Sequence, residues 1–229
     1  KRQNKITYYR AMLLAWKKVG VITCCGYILG FPKDTQKSIL RDIEIIKREL
    51  PVDLLEFFYL TPFPGSEDHK KLHVAGIAMD KDLNMYDANH SVTAHPNMSK
   101  ENWEETCRKA WENYYTYEHS ETLIKRAMAT GTSPSKTIGL ITWFKGCIQI
   151  EKVHPLEGGF FRRKSRKERR PTLPIESPFI FFPKYFSEII WKHFCWFLLV
   201  IRMRLICNRV RNDPKNREYM DLSLEPVIE

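Results

Sequence analysis

Six cysteines in 229 residues, Cys24, Cys25, Cys107, Cys147, Cys195 and Cys207, are too scattered to form a metal centre or a disulfide frame. No three share the short spacing that an iron–sulfur cluster needs, and none stands in a Cys-x-x-Cys step, so sites built from this chain's own thiolates are excluded. Unspaced cysteines fit a reducing, cytoplasmic setting. Glycine is sparse at ten residues, with no run able to cradle a phosphate. His69 and His73 have helical spacing but lack the glutamate of a His-Glu-x-x-His site, so they read as a solvated pair and the metal set is empty. Long apolar runs are missing too. Phe194 to Ile201 is uninterrupted for eight residues, whereas a bilayer takes about 20. Lys184, Glu188, Lys192 and His193 interrupt its approach, and Arg202 and Arg204 its exit.

What is present is a repeated strand–turn–helix pattern. Arg10 to Lys18 has helical spacing, with Gly20 placed for a left-handed cap. Val21 to Phe31, VITCCGYILGF, reads as a buried strand ending in a glycine turn. Asp34 or Thr35 then opens a helix carrying Ile39, Leu40, Ile43, Ile46 and Leu50 on one stripe, and Pro51 ends it. Val52 to Leu60, VDLLEFFYL, is a second strand, followed by Thr61-Pro62-Phe63-Pro64-Gly65. Such βα repetition predicts a parallel sheet with ligands at the carboxyl ends of its strands. No lysine lies in either strand to form a Schiff base, which weighs against an aldolase-like barrel enzyme. Further along, Ser66 to Gly76 predicts a short helix, Met79 to Asn97 a surface loop, Ser99 the cap of a helix over Lys100 to about Tyr117, and Ser133-Pro134 another helix start. Trp103, Ala110, Trp111 and Tyr114 share one face of the Lys100 helix and read as core.

GYILGFPKDT, VDLLEFFYLTPFPGSE and MYDANHSVTAHPNMSKENWEE, in that order, resemble the second half of a radical S-adenosylmethionine (radical SAM) domain of the kind that follows a cobalamin-binding domain; REYMDLSLEPV resembles the tail of such proteins. The resemblance implies an α/β fold: the C-terminal part of a partial TIM-like (β/α) barrel, followed by a mainly α-helical C-terminal region. It implies S-adenosylmethionine as cofactor, with a [4Fe-4S] cluster and, in this branch, cobalamin, both held outside this chain. It also implies radical-based methyl transfer or rearrangement on a small-molecule substrate, lipid-like molecules included. Gly26, Ile28, Gly30, Leu60, Thr61 and Pro62 would bind the nucleoside end of the cofactor, and Tyr86, Asp87 and His90 would stand on the substrate side. With Lys1 falling in what reads as a helix, the chain is expected to be a fragment that is inactive alone. Lys33 stands where relatives usually have glycine, which leaves the conformation of its turn open.

The division expected is 1–78 for the barrel half, 79–155 for a loop and helical extension, and 156–229 for a basic linker and amphipathic helical region. The formal charge of +10 is densest in RRKSRKERR, Arg162 to Arg170. That run reads either as a solvated linker or as a site for an anionic partner. Residues 162–210 would make a peripheral membrane contact, with nucleic acid the less favoured partner. A non-catalytic membrane- or nucleic-acid-associated module, or another βα-barrel enzyme, are the rival readings. Phe179 to Val210 is predicted to be helical, lying in a bilayer interface or against the barrel without spanning a membrane.

Overall fold

The computed structural model describes residues 5–159, 164–170 and 172–227. Arg162 and Arg163, part of the basic run, lie outside them. Two strands, β1 (Cys24–Leu29) and β2 (Leu54–Tyr59), pair in parallel from Cys24↔Leu54 to Leu29↔Tyr59. Seven α-helices surround them: α1 (Ile6–Lys18), α2 (Gln36–Glu49), α3 (Glu67–Val74), α4 (Lys100–Tyr114), α5 (Tyr117–Ala129), α6 (Pro134–Gly146) and α7 (Pro178–Asn212). The partial barrel is not what the chain forms. Helix accounts for 58% of the structure, and its one described sheet has two strands. Only two segments carry the continuous apolar, β-branched and aromatic character of a buried strand, whereas later apolar residues recur at helical spacing. The helical C-terminal part of the expectation matches what is seen.

The β1–α2–β2 unit is closed at its amino ends by a buried charge. Lys17 of α1 and Asp53 before β2 are each 1% exposed and form an ion pair. The Asp53 carboxylate also accepts from the Thr23 N–H at 2.7 Å and the Thr23 hydroxyl at 3.0 Å. One sheet face, carrying Tyr27, Leu29, Leu55, Phe57 and Tyr59, joins a core with Ile39 and Ile43 of α2 and Trp103, Ala110, Trp111 and Tyr114 of α4. Tyr115 serves the outer edge of β2 as a neighbouring strand would. Its hydroxyl donates to the Leu55 carbonyl and accepts from the Leu55 N–H, both at 3.0 Å. On the opposite face Cys24, Gly26 and Ile28 are exposed, and Phe58 is covered by His154 at a ring separation of 4.9 Å.

Local signals place most of the helices. Thr35 caps α2 in a reciprocal box with Ser38, Ser66 caps α3, Ser99 caps α4 and Ser133 caps α6 with Pro134 at its start. The helix expected from Lys100 to about Tyr117 breaks early. Thr116 accepts from the His119 N–H and starts α5, so the chain turns at Tyr115. Helix α7 docks by its second half on α5 and α6. Gly146 leaves room for the Trp196 ring, which a Cβ there would meet at 2.1 Å, and the Trp196 indole N–H donates to the buried Glu151 at 2.8 Å. The tail returns to the α2 side, where Arg126 donates to Asp221 at 2.8 Å and to the Lys47 carbonyl at 2.7 Å. Among the described residues, no helix is long and apolar enough to cross a membrane.

Candidate functional site

The turns that follow β1 and β2 meet at one end of the sheet, and the helix-capping chemistry around them fixes their shape. Gly30 adopts φ +102°, a conformation that side chains disfavour. The Asp34 carboxylate takes the N–H of Gly30 at 2.9 Å and of Phe31 at 2.8 Å, while Thr35 is left to cap α2. Lys33 keeps a negative φ, so its turn does not require glycine there. Lys152 is the non-glycine residue with positive φ among those described. On the other turn the Leu60 N–H donates to the Leu29 carbonyl at 2.9 Å, extending the ladder one residue past the strands.

Between these turns lies a cleft of about 400 Å³, walled by Gly30, Phe31 and Pro32, by Leu60, Thr61 and Pro62, and by His95 and Trp103. Asp68 and Lys71 of α3 line it as well. Its volume falls within the range of small-molecule sites, roughly 300–1,000 Å³. His95 is held by its Nε2 against the Phe31 carbonyl at 2.9 Å, and its ring lies tilted against that of Trp103 at a centroid separation of 5.1 Å. Trp103 packs directly above Gly30: a Cβ there would lie 2.0 Å from the indole ring. The indole Nε1 is buried and has no hydrogen-bond partner. The Gly30 and Phe31 N–H groups are satisfied by Asp34 and that of Leu60 by Leu29, whereas the Trp103 N–H is an unclaimed donor of this wall.

Of the residues expected to bind a cofactor, Gly30, Leu60, Thr61 and Pro62 line this cleft, while Gly26 and Ile28 do not. Gly26 lies exposed on the open sheet face beside Phe58, 3.3 Å from where its Cβ would stand, and Ile28 is 46% exposed on the same face. Tyr86, Asp87 and His90 lie apart from the cleft and bind one another's loop. The Tyr86 hydroxyl donates to the Asp80 carbonyl at 3.0 Å, and Asp87 accepts from the Asn89 N–H at 2.7 Å, the His90 N–H at 3.0 Å and the His90 ring at 2.9 Å. Trp103 and His95 complete the cleft. Sequence placed Trp103 in the core, which it also joins; nothing local in the sequence connects it with Gly30.

Other cavities carry less chemistry. A cleft of about 580 Å³ between α1 and the tail is larger, but it sits at the amino ends of the strands, away from where parallel sheets bind ligands. A third, about 210 Å³, holds Cys107 and His154. Burial pushes the Cys107 thiol up to about 12 and draws the His154 pKa down, so neither a thiolate nor an imidazolium is available there near neutral pH. Burial, helped by the nearby Glu56 carboxylate, likewise raises Cys24 to about 12. Among the described residues no three His, Cys, Asp or Glu side chains converge to hold a metal.

No family model matches the chain, and no solved structure does. A protein of Pyrococcus horikoshii that bears the name of an uncharacterized methyltransferase is 25% identical to it over 121 residues. That match takes in 49% of this chain and 26% of the other protein, so the chain spans little more than a quarter of that relative's length. The chain is thus similar, over about half of itself, to a protein named for methyl transfer.

Proposed function

We propose that this chain is part of an S-adenosylmethionine-dependent enzyme of the radical SAM kind, acting in methyl transfer or rearrangement, and that the cleft beyond β1 and β2 takes the adenosyl end of the cofactor. The observation that carries this reading is the convergence of Gly30, Leu60, Thr61 and Pro62 on one nucleoside-sized cleft beside the partnerless N–H of Trp103. The similarity to a protein named as a methyltransferase supports it from a different direction. S-adenosylmethionine supplies the activated methyl and adenosyl carbons when bound. The chain's residues bind and orient it: Phe31, Leu60 and Pro62 give apolar walls, the Trp103 N–H meets a ring acceptor, and Asp68 and Lys71 face the ammonium and carboxylate of the methionine end. An iron–sulfur cluster does not fit the residues described, whose cysteines do not converge. Cobalamin does not fit either, since its macrocycle exceeds the cleft.

Equilibrium titration tests the assignment. The chain is expected to bind S-adenosylmethionine and adenosine. Trp103→Phe, which keeps the ring and removes the donor, should weaken both by about 2- to 10-fold, the worth of one hydrogen bond. Asp68→Asn with Lys71→Gln should weaken S-adenosylmethionine while leaving adenosine unchanged. Equal losses for both ligands in the second variant would remove α3 from the methionine end, and unchanged affinity in Trp103→Phe would remove the indole from the site.

A further inference from the structure

Helix α7 is apolar on two opposite sides, and only one of them is covered. Trp196, Leu199, Met203, Ile206, Cys207 and Val210 are buried at spacings of three, four and seven residues and form the face that packs on the body of the protein. With 3.6 residues per turn, Phe179, Phe186, Ile190, Phe197, Ile201 and Leu205 fall on the opposite side. There Phe179 is 90% exposed, Ile190 70%, Leu205 63% and Phe197 62%, with Trp191 at 64% on the margin. The stripe runs roughly 39 Å along the helix. A contiguous apolar strip of that extent marks an interaction surface, unlike isolated exposed residues.

The charges around the stripe are of one sign. Lys184 flanks it on one side and Arg204 on the other, both exposed, while the Arg202 guanidinium lies over the Tyr117 ring of α5 at 3.5 Å. The single acid of the helix, Glu188, is turned away and pairs with Lys164 at 2.5 Å and Lys192 at 3.0 Å. Part of the upstream basic run is already spent within the protein, Arg169 on Glu176 at 2.9 Å and Arg170 on Asp82 at 2.7 Å, so Lys184 and Arg204 are the cations at the margins of the stripe. A helix with Phe, Leu and Trp outward, cations along both margins and no span-length apolar segment has the form that lies in the plane of a bilayer interface.

We propose that the outward face of α7 docks on an anionic lipid surface, with Phe179, Phe186, Ile190, Phe197 and Leu205 inserted at the acyl boundary and Lys184 and Arg204 at the headgroups. This holds whether or not the strand-end cleft binds S-adenosylmethionine. Flotation with vesicles of phosphatidylcholine containing phosphatidylglycerol, against phosphatidylcholine alone, reads it directly. The 229-residue chain should float with the anionic vesicles and lose binding as salt rises. Phe186→Ser, Ile190→Ser and Phe197→Ser together should cut partitioning by at least about tenfold with helicity kept. Should that triple variant fail to fold, brominated acyl chains decide on the unmutated protein: they should quench its fluorescence, and less so in Trp191→Phe. No flotation, no quenching, or flotation equal in a folded triple variant would overturn the proposal. A concentration-dependent dimer that the triple substitution dissolves, without vesicle binding, would give the stripe to a second copy and overturn it as well.

Discussion

Replacing Gly30 with alanine is expected to destabilise the protein by about 3 kcal/mol or more, with valine worse. Two costs combine. The φ of +102° strains any side-chain-bearing residue by about 1–3 kcal/mol, and the new Cβ would sit 2.0 Å from the Trp103 ring, forcing the indole out of a site where it is 1% exposed. Overpacking of this kind costs about 1–3 kcal/mol more. A double-mutant cycle separates the parts. Trp103→Leu should relieve the clash but not the strain, so the double variant is expected to lose less than the sum of the singles. Chemical denaturation measures both; strictly additive losses would show that the ring does not confine Gly30.

Asp53→Ala is the second large effect, at about 3–5 kcal/mol, because it leaves Lys17 buried without a counter-charge. For a chain of this length that lowers Tm by roughly 6–20 °C. The Thr23 N–H and hydroxyl lose the carboxylate to which both donate in the same change. Burial already draws the Lys17 pKa below its ordinary value, against the opposing pull of Asp53; without Asp53 it falls further. The unfolded chain then binds more protons than the folded one, so stability rises with pH across the interval between the folded and unfolded lysine values. The deficit of Asp53→Ala should therefore shrink between pH 7 and 10, measured by thermal unfolding at each pH. A deficit that is constant or grows would mean that Lys17 finds another partner or solvent.

The parts of the fold that were legible in the sequence are those set by local chemistry. Gly20 sits at φ +75° as a cap should; Thr35, Ser66, Ser99 and Ser133 each cap the helix expected of them, and both apolar runs contain the strands. The break between α4 and α5 was hidden because Trp111, Tyr114 and Tyr115 continue an apolar helical spacing, and Thr116 alone marks the new start. The barrel was an inference from likeness, which lends strands that this chain's own residues do not supply. At the cleft, the two turns were legible because each follows a strand directly. The space above Gly30 was not: it is filled by an indole from a helix far along the chain, and such pairing is set by tertiary packing. The face of α7 that packs and the face that stays open were likewise indistinguishable, since both are apolar.

Photolabelling reads directly where the adenosyl group binds. The chain is irradiated with an azidoadenosyl analogue of S-adenosylmethionine, with and without excess unlabelled cofactor, and the modified peptides are mapped. Label that competes away and falls on Phe31–Pro32, Leu60–Pro62 or His95 is the predicted result. Competed label on the α1–tail cleft or beside Cys107 and His154, or no competed label at all, would contradict it.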